Sequence, residues 1–99
     1  MRKIIVSKIA QLKLIDIADY IEAKFSLKTK IEFINKFEKT VLLIQKNPES
    51  FPKSEINSAQ YKCVMSKQTT LYYKFTSNQI RVLAVFDTRQ NPKKIKKIK

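Results

Sequence analysis

Two arginines, Arg81 and Arg89, are the residues whose type and position most suggest chemistry. Only three of the 21 basic residues in the chain are arginines, and a planar guanidinium grips a phosphate or carboxylate in a two-pronged geometry that lysine does not offer. Arg89 follows an apolar run typical of a strand, where a turn presents side chains to solvent. Two interpretations stay open for Arg89, namely anion recognition and solvation or pairing with Asp87. For Arg81 the plainer surface role is favoured.

Three lysines and a tyrosine in the same region form a second candidate site. Lys62, Lys67 and Lys74 lie on or between predicted strands, where a basic strip would suit a nucleic-acid backbone. For any single lysine a solvated sheet face is the commoner explanation, so only the cluster carries weight. Tyr72 is a candidate for an exposed contact such as base stacking. Tyr73 falls in the apolar alternation of its strand and is predicted to lie in the core.

The residue types that are missing exclude several kinds of enzyme. Without histidine there is no imidazole base, and without glycine there is no P-loop, dinucleotide fingerprint or nucleophile elbow. Cys63, the one cysteine, has no partner for an internal disulfide and is predicted to be a buried thiol. Asp16 and Asp19 lie one helical turn apart, which a polar helix face explains. We predict neither a metal site nor a cofactor.

The charge balance is strongly basic. The chain has 21 Lys and Arg against 8 Asp and Glu, a formal charge of +13, which attracts nucleic acid or an acidic protein. Residues 93–99 form a basic tail, so Lys93 and Lys94 join the candidate binding residues, while a merely solvated tail is an equal alternative.

Nothing in the sequence predicts contact with a membrane. No apolar run approaches the roughly 20 residues of a spanning helix, and Lys8 interrupts the N-terminal apolar run after three residues, which argues against a secretory signal. The expectation is a cytoplasmic protein.

The first half of the chain predicts a strand followed by two helices. Ile4–Val6 is β-branched and apolar, which favours a short buried strand. Ser7 is placed to cap a helix over Lys8–Phe25. Its stripe contains Leu14, Ile17, Ala18, Ile21 and Phe25, and the further apolar residues Ile9, Leu12 and Ile15 predict packing on more than one element.

Ser26 is placed to cap a second helix, which Asn47-Pro48 ends. The apolar stripe predicted for it runs through Leu27, Ile31, Ile34, Phe37 or Glu38, Val41 and Ile44. Because the link between the helices is so short, they must fold back as an antiparallel hairpin.

The second half of the chain predicts a loop over residues 47–60 and then three strands, Tyr61–Ser66, Leu71–Thr76 and Ile80–Phe86. The last is apolar at alternate and intervening positions, with Ile80, Val82, Ala84 and Phe86 assigned to one face. That pattern predicts a central strand buried on both faces, between the preceding strand and Ile4–Val6. The fold class is therefore α+β, one domain over residues 1–99, with a helix hairpin on one face of a sheet that ends in a three-stranded antiparallel meander.

This order of elements, together with local motifs, resembles the RelE/ParE toxin superfamily of bacterial toxin–antitoxin modules. The motifs run from Ile5-Val6-Ser7 and Ile15-Asp16-Ile17-Ala18-Asp19-Tyr20-Ile21 through Asn47-Pro48 to Leu71-Tyr72-Tyr73-Lys74, Ile80-Arg81-Val82-Leu83 and Phe86-Asp87-Thr88-Arg89-Gln90-Asn91-Pro92. The resemblance implies a growth-inhibiting toxin held inactive by a small, acidic cognate antitoxin encoded beside it.

The resemblance also implies one of two targets. ParE-like members inhibit DNA gyrase without nuclease chemistry, whereas RelE-like members are endoribonucleases that cut mRNA on the ribosome. Thr70 stands where several RelE-like nucleases have arginine, which leaves Lys67, Arg81 and Arg89 as substitutes for the catalytic set. This departure and the long helix hairpin favour the ParE-like function. A basic binding module without toxicity is a third alternative on the same scaffold.

Overall fold

The computed structural model describes residues 1–89 and contains the predicted elements in the predicted order. They are strand β1 (Lys3–Val6), helix α1 (Lys8–Lys24), helix α2 (Leu27–Lys46), a single 3-10 turn (Pro48–Ser50), and strands β2 (Tyr61–Val64), β3 (Thr69–Phe75) and β4 (Gln79–Asp87). The α+β fold class is confirmed. Neither helix in residues 1–89 offers an apolar stretch long enough to cross a membrane.

The four strands form one mixed sheet in the order β1-β4-β3-β2. β1 pairs with β4 in parallel, while β4 with β3 and β3 with β2 are antiparallel. The prediction that the last strand lies inside the sheet, between the preceding hairpin strand and the N-terminal strand, is therefore confirmed. The parallel neighbour follows from the helix hairpin, which carries the chain back across the sheet between β1 and the meander.

The core lies between the helix hairpin and one face of the sheet, which we call the inner face. Alternate strand residues such as Leu71, Tyr73, Ile80 and Val82 point into it and are fully buried. Ile17 and Ile21 of α1 and Ile44 of α2 meet them from the helices, also with no exposed surface. The opposite face, here called the open face, carries no helix of residues 1–89.

β4 contains a β-bulge that corrects the predicted pattern of its faces. Tyr72 pairs with Ala84 and Tyr73 with Val82, so Leu83 is an extra residue on β4. A bulge reverses which side of the strand faces the core. Ile80 and Val82 point inward before it and Val85 after it, whereas Phe86 points to the open face and is 45% exposed. Placing Ala84 and Phe86 with Ile80 and Val82 was wrong, because the doubly apolar sequence reflects a change of face within one strand.

The apolar arcs of both helices are wider than the surface they bury. Ile9, Leu12 and Ile15 were predicted to pack on further elements, but all three are more than half exposed, as is Phe25. The hairpin covers only one face of a four-stranded sheet. Each helix therefore buries only the stripe that meets that face and the other helix. On α2 that stripe is Phe33, Thr40, Val41 and Ile44; of the residues predicted for it, Leu27, Ile31 and Ile34 are exposed.

Ser7 joins the start of α1 to the bulge in β4. Its hydroxyl oxygen accepts a hydrogen bond from the Ala10 amide at 3.1 Å, as an N-cap does, and the same hydroxyl donates to the Leu83 carbonyl at 3.2 Å. The Ser26 hydroxyl caps α2 through the Thr29 amide at 3.1 Å. Both predicted caps are thus confirmed, but only Ser7 also satisfies a group of the sheet.

We expect Ser7→Ala to lower the free energy of unfolding by about 2 kcal/mol, because it removes both a cap and a partner of a carbonyl in the sheet. Ser26→Ala removes an exposed cap alone and should cost about 1 kcal/mol or less. Urea unfolding of the two variants measures the difference. Equal losses would contradict the second role of Ser7.

Candidate functional site

Asp87 anchors a buried polar cluster at the C-terminal end of β4, on the inner face of the sheet. The predicted strand ended at Phe86, but Asp87 is the last residue of β4 and is 1% exposed. The Thr69 hydroxyl donates to its Oδ2 at 2.6 Å, and the Arg89 side chain donates from Nη2 to Oδ2 at 2.8 Å and from Nε to Oδ1 at 3.2 Å. The Arg89 amide adds a bond to Oδ1 at 2.9 Å. Each of these hydrogen bonds, from Arg89 and from Thr69 on the neighbouring strand, favours the charged form of the carboxylate.

These contacts determine the ionisation of Asp87. Burial on its own would raise the pKa of the Asp87 carboxyl, but the hydrogen bonds from Arg89 and Thr69 outweigh it and hold that pKa below its ordinary value. The Arg89 guanidinium also lies 5.8 Å from the centre of the Phe33 ring on α2. Of the two interpretations of Arg89, the structure contains the pairing with Asp87. The Nε and Nη2 groups of Arg89 both donate hydrogen bonds to that carboxylate.

The open face of the sheet brings together a different set of predicted residues. Lys62, Tyr72 and Arg81 all lie on it, and Lys74 stands directly opposite Arg81 across the β3–β4 pair. Lys62 is tied to Glu55 by an ion pair of 2.8 Å; the hydrogen bond from Lys62 lowers the pKa of Glu55. Lys74 and Arg81 are exposed, so this face presents positive charge to the solvent.

An aromatic pair lies beside these cations. The rings of Tyr72 and Phe86 meet edge to face with their centres 5.9 Å apart. Tyr72 had been identified from the sequence, but Phe86 had not, because the bulge that turns Phe86 outward leaves no signal in an unbroken apolar run. Tyr73, as predicted, is fully buried on the inner face, where its hydroxyl donates to the Pro48 carbonyl at 2.6 Å and burial raises its pKa.

The three residues proposed for nuclease chemistry do not converge. Arg81 lies on the open face, whereas Arg89 is bound to Asp87, whose side chain lies on the inner face at the far end of β4. At about 3.3 Å per strand residue, Arg81 and Asp87 are about 20 Å apart along the strand. Lys67 is exposed in the turn between β2 and β3, at the Arg89 end of the sheet, where the Thr88 amide donates to the Gln68 carbonyl at 2.8 Å, so Arg81 is the residue that stands apart. Lys93, Lys94 and the rest of the basic tail lie outside the described residues.

An apolar groove runs along the outside of the helix hairpin. It has a volume of about 290 Å³ and is lined mainly by Leu14, Ile15, Ala18, Phe33, Ile34 and Phe37. Asp19 and Lys30 complete its lining, and Lys30 forms an ion pair with Glu22 at 2.9 Å. The sequence contains more apolar residues on the helices than one buried stripe requires. Those that line this groove, such as Ile15 and Ile34, were predicted to be buried.

The cysteine thiol and the metal-ligating side chains of the described residues show no arrangement suited to catalysis. Cys63 is buried in β2, as predicted, and burial raises the pKa of its thiol, which disfavours the nucleophilic thiolate. In the described part of the chain, no three side chains of the metal-ligating types come together.

Both the sequence and the architecture of this chain match known proteins. The family model for the ParE toxin of the type II toxin–antitoxin system parDE matches residues 4–92. No curated protein matches the sequence. A chain of the chromosomal ParDE toxin–antitoxin system from P. aeruginosa superposes with a TM-score of 0.76 at 10% identity, over 88% of this chain and 96% of that one.

Two other solved structures have the same fold. A chain of the DinJ–YafQ complex from E. coli has a TM-score of 0.61 at 16% identity, over 90% of this chain and 96% of that one. A chain of the YoeB dimer from Staphylococcus aureus has a TM-score of 0.60 at 15% identity, over 86% and 94%. The predicted RelE/ParE resemblance is thus confirmed. Because the family model covers nearly the whole chain, the protein belongs to the ParE toxin family of type II toxin–antitoxin systems.

Proposed function

We propose that this toxin arrests growth by binding DNA gyrase, rather than by cutting RNA. The observation that carries the proposal is the separation of Arg81, on the open face near the start of β4, from Arg89, which is bound to Asp87 at the other end of that strand. Cleavage of RNA needs a charge stabiliser and proton carriers within hydrogen-bond reach of one phosphate. A binding inhibitor needs no such convergence.

The protonation chemistry of the described residues supports the same conclusion. With no histidine in the chain, a tyrosine or lysine would have to carry protons at neutral pH, and their ordinary pKa values lie near 10. Burial moves the pKa of Tyr73 further upward, away from neutrality. The Arg89 guanidinium already forms an ion pair with Asp87. The Asp87 carboxylate therefore compensates part of the positive charge of Arg89 that a phosphate would need.

We further propose that a small acidic antitoxin, encoded beside the toxin, neutralises it by covering the apolar groove of the helix hairpin. Ile15 and Ile34 are exposed at 57% and 39%, and contiguous exposed apolar side chains are typical of interaction sites. The +13 charge of the toxin would speed the encounter with an acidic partner, while apolar anchors would set the lifetime of the complex.

Two assays with purified protein distinguish the targets. We expect inhibition of DNA supercoiling by gyrase and intact mRNA on translating ribosomes, with growth arrest accompanied by a DNA-damage response. Arg89→Ala leaves the buried Asp87 carboxylate without its ion-pair partner, so circular dichroism must first verify that the variant is folded. The folded variant should inhibit no more than about fivefold less well, because a binder loses one contact among many. For a nuclease the same change should cost a hundredfold or more in rate.

The alternative functions have their own signatures in these assays. Codon-phased cuts in the mRNA, without an effect on gyrase, would contradict the gyrase proposal and identify a ribosome-dependent nuclease. Normal growth after induction of the chain without its neighbouring gene would identify a binding module without toxicity.

A further inference from the structure

Positive charge is segregated onto the open face of the sheet. Five of the eight acidic residues lie on the two helices, and two lie in the segment between α2 and β2. The remaining one, Asp87, is the only acidic residue within a strand, and it points to the inner face. The strands therefore present Lys3, Lys62, Lys74 and Arg81 on the open face with no carboxylate of their own, and Glu55 from the loop pairs with Lys62 alone among them.

Lys74 and Arg81 are the most informative of these residues. They stand directly opposite each other on neighbouring strands, and both are exposed. Like charges at such positions destabilise a sheet. An anion bound between them would remove that repulsion, so the pair is suited to a phosphate or carboxylate.

The neighbouring aromatic pair indicates what else the ligand contains. Tyr72 lies two residues before Lys74 on the same side of β3, about 7 Å away along the strand. Phe86, its edge-to-face partner at 5.9 Å, is 45% exposed. An exposed aromatic ring beside a cation pair fits a ligand with both anionic groups and planar rings.

We propose that the open face binds single-stranded nucleic acid, with phosphates at Lys74 and Arg81 and a base stacked on the Tyr72–Phe86 pair. Stacking on aromatic side chains and a basic track are the two elements of sequence-tolerant single-strand binding. A duplex hides its base faces, and an acidic peptide satisfies the cations but has no requirement for the rings. This site goes beyond the proposed action on gyrase and does not depend on it.

A tryptophan probe tests the stacking directly. The chain contains no tryptophan, so Phe86→Trp creates a single reporter on the open face. We expect oligothymidylate and oligoadenylate, as DNA or RNA, to quench its fluorescence, and polyglutamate at equal charge to leave it unchanged. Quenching by polyglutamate to the same extent, or no quenching by either oligonucleotide, would overturn the proposal.

Matched variants test the charges and the rings by fluorescence anisotropy of a labelled oligothymidylate. Losing two phosphate contacts in the double variant Lys74→Gln/Arg81→Gln should reduce the slope of log K against log salt by about 1.4. Lys28→Gln/Lys39→Gln, with the same loss of charge on α2, should leave the slope unchanged. Equal effects of the two double variants would indicate general electrostatic attraction and contradict a site on the sheet.

The aromatic contribution has a control of its own. Phe86→Ala should weaken binding about tenfold, whereas Phe25→Ala, which removes a ring that is 58% exposed in the helix hairpin, should have no effect. Circular dichroism of each variant verifies the fold. Should Phe86→Ala fail to fold, the quenching of Phe86→Trp decides the question. Folded Phe86→Ala with undiminished affinity would refute the stacking role.

Discussion

Asp87→Ala is expected to lower the free energy of unfolding by about 3 kcal/mol. The Asp87 side chain has no exposed surface, and its removal leaves the buried Thr69 hydroxyl and the Arg89 guanidinium without their partner. Breaking a fully buried ion pair from one side costs about 3–5 kcal/mol. Because the Arg89 side chain keeps 22% of its surface in water, the lower end applies. Urea unfolding at neutral pH measures the loss.

The same cluster makes the stability of the protein depend on pH. The pKa of Asp87 is lower in the folded protein than its ordinary value of 3.8, so the carboxylate stabilises the fold above that value. The contribution is lost as the pH falls below about 4 through the folded pKa. Asp87→Asn should therefore reduce stability at pH 7 and flatten the loss on acidification.

Glu38→Gln provides the control for this titration, because it removes an exposed carboxylate on α2 that does not belong to the cluster. Its unfolding free energy should follow that of the unaltered protein from pH 7 to pH 3 within about 0.5 kcal/mol. If Asp87→Asn retained the full acid sensitivity of the unaltered protein, the favourable ionisation assigned to Asp87 would be wrong.

Ile34→Glu is expected to weaken the complex with the antitoxin by a hundredfold or more while leaving the toxin folded. In the proposed complex the side chain would be buried in the groove between α1 and α2, and burying an unpaired charge in an apolar contact costs several kcal/mol. In the free toxin Ile34 is 39% exposed, so the new carboxylate can remain in water. Co-purification with the product of the neighbouring reading frame, followed by a titration, measures the effect.

Ile56→Glu is the matched control for the groove. Ile56 is 84% exposed in the loop before β2, and the substitution changes the net charge by the same amount. It should alter the affinity by less than about threefold, through long-range electrostatics alone. Similar losses from both variants would show that charge, and not the groove, governs the complex. Normal co-purification of Ile34→Glu would place the antitoxin elsewhere on the toxin.

Local signals in the sequence were sufficient to predict the helices, the strands and their order along the chain. Ser7 and Ser26 were recognisable as caps and Asn47-Pro48 as a helix end because capping and termination depend on residues within one turn of each other. The central position of β4 was also predicted correctly. Burial on both faces, however, is not what makes this strand apolar throughout, because the bulge at Leu83 changes which alternate residues face the core.

The element order, the α+β class, the excess of positive charge and the absence of imidazole chemistry all follow from the amino-acid sequence. Which apolar residues lie in the core and which lie on the surface depends on tertiary contacts. The bulge at Leu83 turned Phe86 outward, and the limited area of a four-stranded sheet left Ile15 and Ile34 exposed. The structure also paired Arg89 with Asp87 and put Arg81 on the opposite face. Such outcomes depend on contacts between residues far apart in the chain, and periodicity along the sequence carries no information about them.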